Sequence, residues 1–240
     1  MKKVYLDNAA TTQINPKVID EMVAVLENSY GNPSSTHFFG RDSKTIIELS
    51  RKFIANTFNA KPKEIFFTSG GTESNNMIIK SCIKHGVERI ITTKIEHKAV
   101  LNPILSLYNN QKVELEFLSI DCEGNPDLNE LKSLLSKPKK TLVSLMHINN
   151  EIGTMIDLES IGSICHSYNA LFHSDTVQTI GHYPLDLSLI NIDFITCSAH
   201  KFHGPKGVGF TYINEKNKAF PLIEGGEQER GLRAGTESTH

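Results

Sequence analysis

The sequence predicts an α/β fold: three layers, with a mostly parallel sheet between helices packed on both faces. From residue 65 onward, short apolar runs of strand length alternate with amphipathic stretches of helix length. The conspicuous polar clusters fall where those apolar runs end, which is where open α/β sheets bind ligands. At 240 residues the chain suffices for one large α/β domain or two small ones. No linker, repeat or low-complexity stretch interrupts it. It therefore reads as an N-terminal arm, residues 1–15, followed by one large domain over residues 16–240.

Taken in order, Val4-Tyr5-Leu6 reads as a short strand, and Asp7 to Thr12 as a polar turn. Pro16 suits a helix start, and Val18, Met22, Val25 and Leu26 give that helix an apolar face. Residues 29–40 form a long irregular loop, a length that in compact domains is often functional. A second amphipathic helix spans about 41–58, with Ile46, Leu49, Phe53 and Ile54 inward. Strands are predicted at 65–68, 89–92, 113–118, 141–147, 170–175 and 194–197. Helices separate them, one running to about 85 and others at 99–108, 128–135 and 158–168. A last strand at 208–213 follows a turn too short for a helical crossover, so it is expected to run antiparallel.

Composition narrows the function classes. Hydrophobic residues make up 39% and charged residues 22%, which supports a sizeable core. The net charge is −2 with the signs interspersed, so no basic patch points to nucleic acid or to an anionic membrane surface. No apolar run reaches 18 residues, and no signal peptide is read at the start. Cys82, Cys122, Cys165 and Cys197 lack CxxC or Cys/His spacing, so no metal site is expected. They fit free thiols in a reducing cytoplasm, each read as a small buried apolar residue.

The chemistry centres on Ser198-Ala199-His200-Lys201-Phe202-His203-Gly204-Pro205, directly after an apolar strand. A lysine at a strand end, flanked by imidazoles and a rigid turn, suits an amine that must lose its proton and attack a carbonyl. A solvated surface lysine is the plainer reading. Ser69-Gly70-Gly71-Thr72 lies between a strand and a helix and reads either as a phosphate cup or as an ordinary N-cap. Asp175, at a strand end, could hold a ring nitrogen protonated, and Gln178 could donate to a phenolic oxygen; a satisfied polar loop would look the same. His97 could stack on a heteroaromatic ring or be structural. Asn149-Asn150-Glu151-Ile152-Gly153 could be turn chemistry alone. Together they supply a phosphate cup, a carboxylate, a stacking ring and a reactive lysine on one sheet edge, the set that pyridoxal 5'-phosphate needs.

The sequence also resembles the class V aminotransferase group of pyridoxal-phosphate enzymes (fold type I), and within it the cysteine desulfurases of the NifS/IscS type. The stretches that carry the likeness run from end to end: Tyr5 to Thr12, Gly31-Asn32-Pro33-Ser34-Ser35, Phe67 to Asn76, Glu96 to Val100, Asn149 to Gly153, Ser198 to Lys201, and Glu229 to Thr236. The resemblance implies that Lys201 forms the Schiff base and that Asp175 and Gln178 contact the ring nitrogen and phenolic oxygen. It implies that His97 stacks on the ring and helps to move protons, and that Gly71, Thr72, Ser198 and His200 hold the phosphate. Asn150 would line the cofactor and substrate side, and Thr236 would reach the phosphate of a neighbouring subunit in a homodimer. The implied reaction removes sulfur from L-cysteine, giving L-alanine and an enzyme persulfide for a sulfur-acceptor or scaffold protein in iron–sulfur cluster or thiolation pathways.

Two departures from the family pattern stand out. Gly225-Gly226-Glu227 replaces a run of three glycines, which puts that loop's geometry in question. None of the four cysteines matches the family's nucleophile, expected with the substrate-binding arginine in a smaller domain beyond His240. The alternatives are another class V enzyme, such as a selenocysteine lyase or an aminotransferase, or an inactive fragment that only binds cofactor or partner.

Overall fold

The computed structural model describes residues 3–240; Met1 and Lys2 of the predicted arm lie outside them. Seven strands, β1 (Ile65–Thr68), β2 (Arg89–Thr92), β3 (Glu114–Phe117), β4 (Thr141–Ser144), β5 (Leu171–Asp175), β6 (Phe194–Ser198) and β7 (Gly209–Ile213), form one sheet in the order β1-β7-β6-β5-β4-β2-β3. The block β3-β2-β4-β5-β6 is parallel, and β7 runs antiparallel to both β6 and β1. The helices are α1 (Pro16–Asn28), α2 (Phe38–Thr57), α3 (Gly71–Lys84), α4 (Lys98–Asn109), α5 (Leu128–Leu135) and α6 (Leu158–Ser167).

Successive strand residues point to opposite faces, and the core divides accordingly. Val143, Phe172 and Ile195 pack with Ala55 of α2, Leu131 of α5 and Ile161 of α6. Their neighbours Leu142 and Phe194 pack on the other face with Met77 and Ile79 of α3 and Val100 and Ile104 of α4. This is the predicted three-layer arrangement. Side chains cap several helix starts: Asp127 accepts from Asn129 N and Glu130 N, and Asp157 from Glu159 N and Ser160 N. The start of α3 differs, because Gly70 offers no side-chain cap.

Five expectations are corrected. Val4-Tyr5-Leu6 is not a strand but exposed, irregular chain, since no strand among the described residues offers those three residues a ladder. In α1 none of the apolar residues is fully buried, and Leu26 is exposed. Residues 29–40 do not stay irregular throughout, because α2 begins at Phe38. The inward stripe of α2 is Gly40, Ser43, Ile47, Arg51 and Ala55, while Leu49 and Phe53 face out. A buried guanidinium marks that face: Arg51 donates to Glu229 Oε1 and Oε2 at 2.7 and 2.8 Å, so the helix turns the side that carries Arg51 inward. Finally, Cys82, Cys165 and Cys197 are buried as expected but Cys122, in the turn after β3, is exposed. Glu227 adopts φ −86°, ψ 15°, an ordinary conformation for an L-residue, so that position needs no glycine.

Candidate active site

The carboxyl ends of β5 and β6, the start of α3, the start of α4 and the N-terminal arm enclose a cavity of about 470 Å³. Its lining includes Gly71, Thr72, His97, Asn150, Asp175, Gln178, Ser198, His200 and Lys201. The structure thus brings together every predicted site residue except Thr236. That residue is exposed and lines a separate cavity with Phe67, Lys206 and Arg233.

Strand β6 ends at Ser198 and tightens at once into a 3-10 turn, Ala199–Lys201, which aims the lysine back toward the sheet edge. Lys201 Nζ donates to the carbonyls of Ala9 and Ala10, the second at 2.9 Å. Burial pushes its pKa below the usual lysine range, with the carboxylates of Asp175 and Asp7 acting against that shift. The arm is stitched to the lysine turn: Thr12 N and Thr12 Oγ1 both donate to His200 O, and His203 N donates to Thr12 Oγ1 at 2.7 Å.

Asp175 closes β5 and is buried. Its Oδ2 accepts from Asn75 Nδ2 at 2.7 Å and its Oδ1 from Val177 N at 3.0 Å. Burial raises its pKa, opposed by these donors and by His97 and Lys201. Gln178 Nε2 donates to Ala9 O at 3.0 Å. His97 caps α4, its Nδ1 accepting from Ala99 N at 3.0 Å, which leaves the ring proton on Nε2. Beneath it Glu96 is buried, takes both its oxygens to Met146 N and is pushed up to about 8, chiefly by burial.

The start of α3 is shaped to receive an anion. Gly70 adopts φ +138°, which L side chains rarely take, and a Cβ there would sit 3.2 Å from Ser198 Oγ. A Cβ on Gly71 already lies 2.7 Å from Val177 Cγ2. With no side-chain cap, the dipole end of a 14-residue helix faces the hydroxyls of Thr72 and Ser198 and the imidazole of His200. His200 is pushed below its usual value by burial and then by Lys201 and Lys206.

Asn75, Asp7, Ala9, Ala10 and Met146, none of them among the expected site residues, also line the cavity. Asn75 had a signal, since it lies four residues after Gly71 and so on the same face of α3. The arm carbonyls had none, because any residue type supplies them. Among the described residues, no group of three or more His, Cys, Asp or Glu side chains could hold a metal ion, and no helix is long and apolar enough to cross a membrane.

The chain matches the family described as Aminotransferase class-V over residues 4–239. It is similar to cysteine desulfurase IscS of Dictyoglomus turgidum, 47% identical over 240 residues, a match covering 99% of this chain and 60% of that protein. Among solved structures, a NifS-like protein superposes with a TM-score of 0.96 at 42% identity, covering 99% of this chain and 66% of that one. A structure described as SspA in complex with cysteine gives 0.93 at 35% identity, covering 99% and 69%. The chain spans about 60% of the length of the curated relative. With the family match extending over all but the terminal residues and the fold superposing throughout, the chain belongs to the class-V aminotransferase family.

Proposed function

We propose that residues 16–240, with the arm before them, form the cofactor-binding part of a cysteine desulfurase, which takes sulfur from L-cysteine and leaves L-alanine. The single observation that carries this reading is the convergence of Lys201, Asp175, His97, Gln178 and the uncapped start of α3 on one cavity. Pyridoxal 5'-phosphate is the cofactor of the family, and the residues present fit it. The cradle at Gly70 is one a Cβ would crowd, and Asn75 Oδ1 is a buried polar atom without a partner beside the acid. When bound, that cofactor supplies an electron sink for bond breaking at an amino acid's α-carbon.

The chain's residues divide the work. Lys201 Nζ, made easier to deprotonate by burial, would bond the cofactor aldehyde and later act as a base. Asp175 would accept the ring N–H, and Gln178 Nε2 would turn from Ala9 O to the phenolic oxygen. His97 would lie against the ring and give or take a proton at Nε2. Gly71, Thr72, Ser198 and His200 would hold the phosphate, and Asn150 the substrate side. We assign the thiolate that takes the sulfur to none of the four cysteines, as none lines the cavity. Thr236, outside this cavity, is assigned to the phosphate of a second copy in a homodimer. Free thiols favour a reducing compartment such as the cytoplasm, where sulfur would pass to a scaffold or acceptor protein.

The test combines cofactor trapping with turnover. Borohydride reduction of the pyridoxal-phosphate-loaded protein should fix the cofactor on Lys201, and L-cysteine should yield L-alanine when the complete enzyme is assayed. Trapping on another lysine, or amino transfer to a keto acid in place of sulfur release, would overturn the reading.

A further inference from the structure

Asn75 has no role in the chemistry above, yet its placement is specific. It is fully buried, lines the cavity, and sits one helical turn beyond Gly71 on the same face of α3. Its Nδ2 donates to Asp175 Oδ2 at 2.7 Å, while its Oδ1 has no partner. A buried acceptor left unpaired is costly, and that cost stands against the bond made by the amide's other end. Flipping it would set oxygen against carboxylate oxygen. The second carboxylate oxygen is fixed by Val177 N. Asp175 is therefore held by one bond from its own turn and one from α3.

We infer that Asn75 is a positioning residue for the cofactor, its amide N–H holding the Asp175 carboxylate as the acceptor for the ring nitrogen's proton. This rests on the pyridoxal-phosphate reading. One helix then governs both ends of the ligand, its first turn the phosphate and its second turn the acid opposite the ring nitrogen. Asp175 lies in a crowded electrostatic setting: His97 at the start of α4 and Lys201 after β6 favour its charge, while Glu96 before α4 and Cys197 on β6 are the nearby acids whose charged forms it opposes. Burial disfavours its charged form. The Asn75 donor acts against that burial.

The experiment is equilibrium binding of pyridoxal phosphate to the purified protein across a pH series, read by cofactor absorbance, with folding followed by circular dichroism. Asn75→Leu should weaken binding about tenfold, the size of a lost hydrogen bond to a charged group, and most at low pH, where Asp175 is no longer kept ionised. Asn75→Asp keeps the shape and places a second acid beside Asp175. It should weaken binding relative to wild type at high pH and recover as the pH falls and the pair shares one proton. Asn75→Asp therefore decides the matter if the leucine variant does not fold. In an Asp175→Asn background, Asn75→Leu should change affinity by less than about twofold, since coupled residues are non-additive. Equal losses in both backgrounds, or pH profiles parallel to wild type, would overturn the inference. Failure of wild type to form a reducible adduct on Lys201 would instead overturn the cofactor reading beneath it.

Discussion

The pair Arg51–Glu229 is the place where a single substitution should be felt most. Both side chains are almost inaccessible, at 4% and 2% exposure, and two N–H···O bonds of 2.7 and 2.8 Å join them. Glu229 Oε2 also accepts from Phe67 N on edge strand β1, and Arg51 Nη1 donates to Ile65 O, both at 2.8 Å. The carboxylate thus pins residues 228–231 to the sheet edge. It does so against backbone strain, because Glu229 (φ 45°, ψ 41°) and Arg230 (φ 58°, ψ 36°) are both left-handed non-glycine residues, at about 1 kcal/mol or more each. Glu229→Leu leaves the buried guanidinium only the half-exposed Glu48, 3.1 Å from its Nε, as counter-charge, a loss at the lower end of roughly 3–5 kcal/mol. For a chain of this size each kcal/mol moves the midpoint by about 2–4 °C, so thermal unfolding should shift down by roughly 6–20 °C. Replacing both partners, Arg51→Met with Glu229→Leu, should recover much of that loss, because the burial of charge goes with the pair. Differential scanning calorimetry on the three variants reads this directly. A Glu229→Leu midpoint within a degree or so of wild type would refute the reasoning.

Three further outcomes are expected of the same fold. Lys201→Ala should abolish the borohydride-reducible pyridoxal adduct while Lys206→Ala, exposed and outside the cavity, leaves it intact by mass spectrometry. Glu96 is raised from 4.5 to about 8, so the folded state keeps a proton that the unfolded chain loses, and this contribution to stability fades as pH rises through 8. His147 and His173, lowered to about 4 and about 3, have the opposite sign and lose stability only as pH falls below 6.5. Between pH 6.5 and 8, Glu96→Gln should therefore flatten the decline in urea-melt stability by up to roughly 2 kcal/mol; an unchanged slope would count against a buried, proton-bearing Glu96. Native protein should expose one reactive thiol, Cys122, to a disulfide reagent, since Cys82 is pushed up to about 12 and Cys165 and Cys197 are buried. Rapid labelling of a second cysteine would show that the core opens more readily than its packing implies.

The centre of the sheet was legible because its strands carry apolar pairs buried on both faces, which leaves few other readings for Ile90-Ile91 or Phe194-Ile195. The antiparallel β7 followed from turn length alone. Periodicity failed on α2, where it counts apolar residues and takes the side bearing Arg51 for the solvent face. The buried carboxylate that pairs with Arg51 belongs to Glu229, 178 residues along the chain. The lining of the candidate site was legible where the proposed chemistry needs a side-chain type, as at Lys201, Asp175 and His97. It was illegible where a backbone group does the work.

That backbone contribution changes how the arm is understood. Read from its apolar residues, Val4-Tyr5-Leu6 should pair with a sheet, yet the contacts that place the arm begin later, at the carbonyls of Ala9 and Ala10. Ala9 O accepts from Lys201 Nζ and Gln178 Nε2 together, so one carbonyl oxygen satisfies two of the donors proposed to turn toward the cofactor. A half-buried ammonium without such acceptors would face the desolvation that already lowers its pKa, with only Asp175 and Asp7 to offset it. The arm therefore supplies the interactions that the ligand would replace. Thr12 and Asn15 anchor it to the lysine turn through His200 O and His203 O. Capture of the lysine by a carbonyl carbon would withdraw its Nζ from Ala9 O and Ala10 O, while leaving those anchors in place. Ala9 and Ala10 are thus the part of the arm whose contacts depend on the state of Lys201, and residues 12–15 the part whose contacts do not.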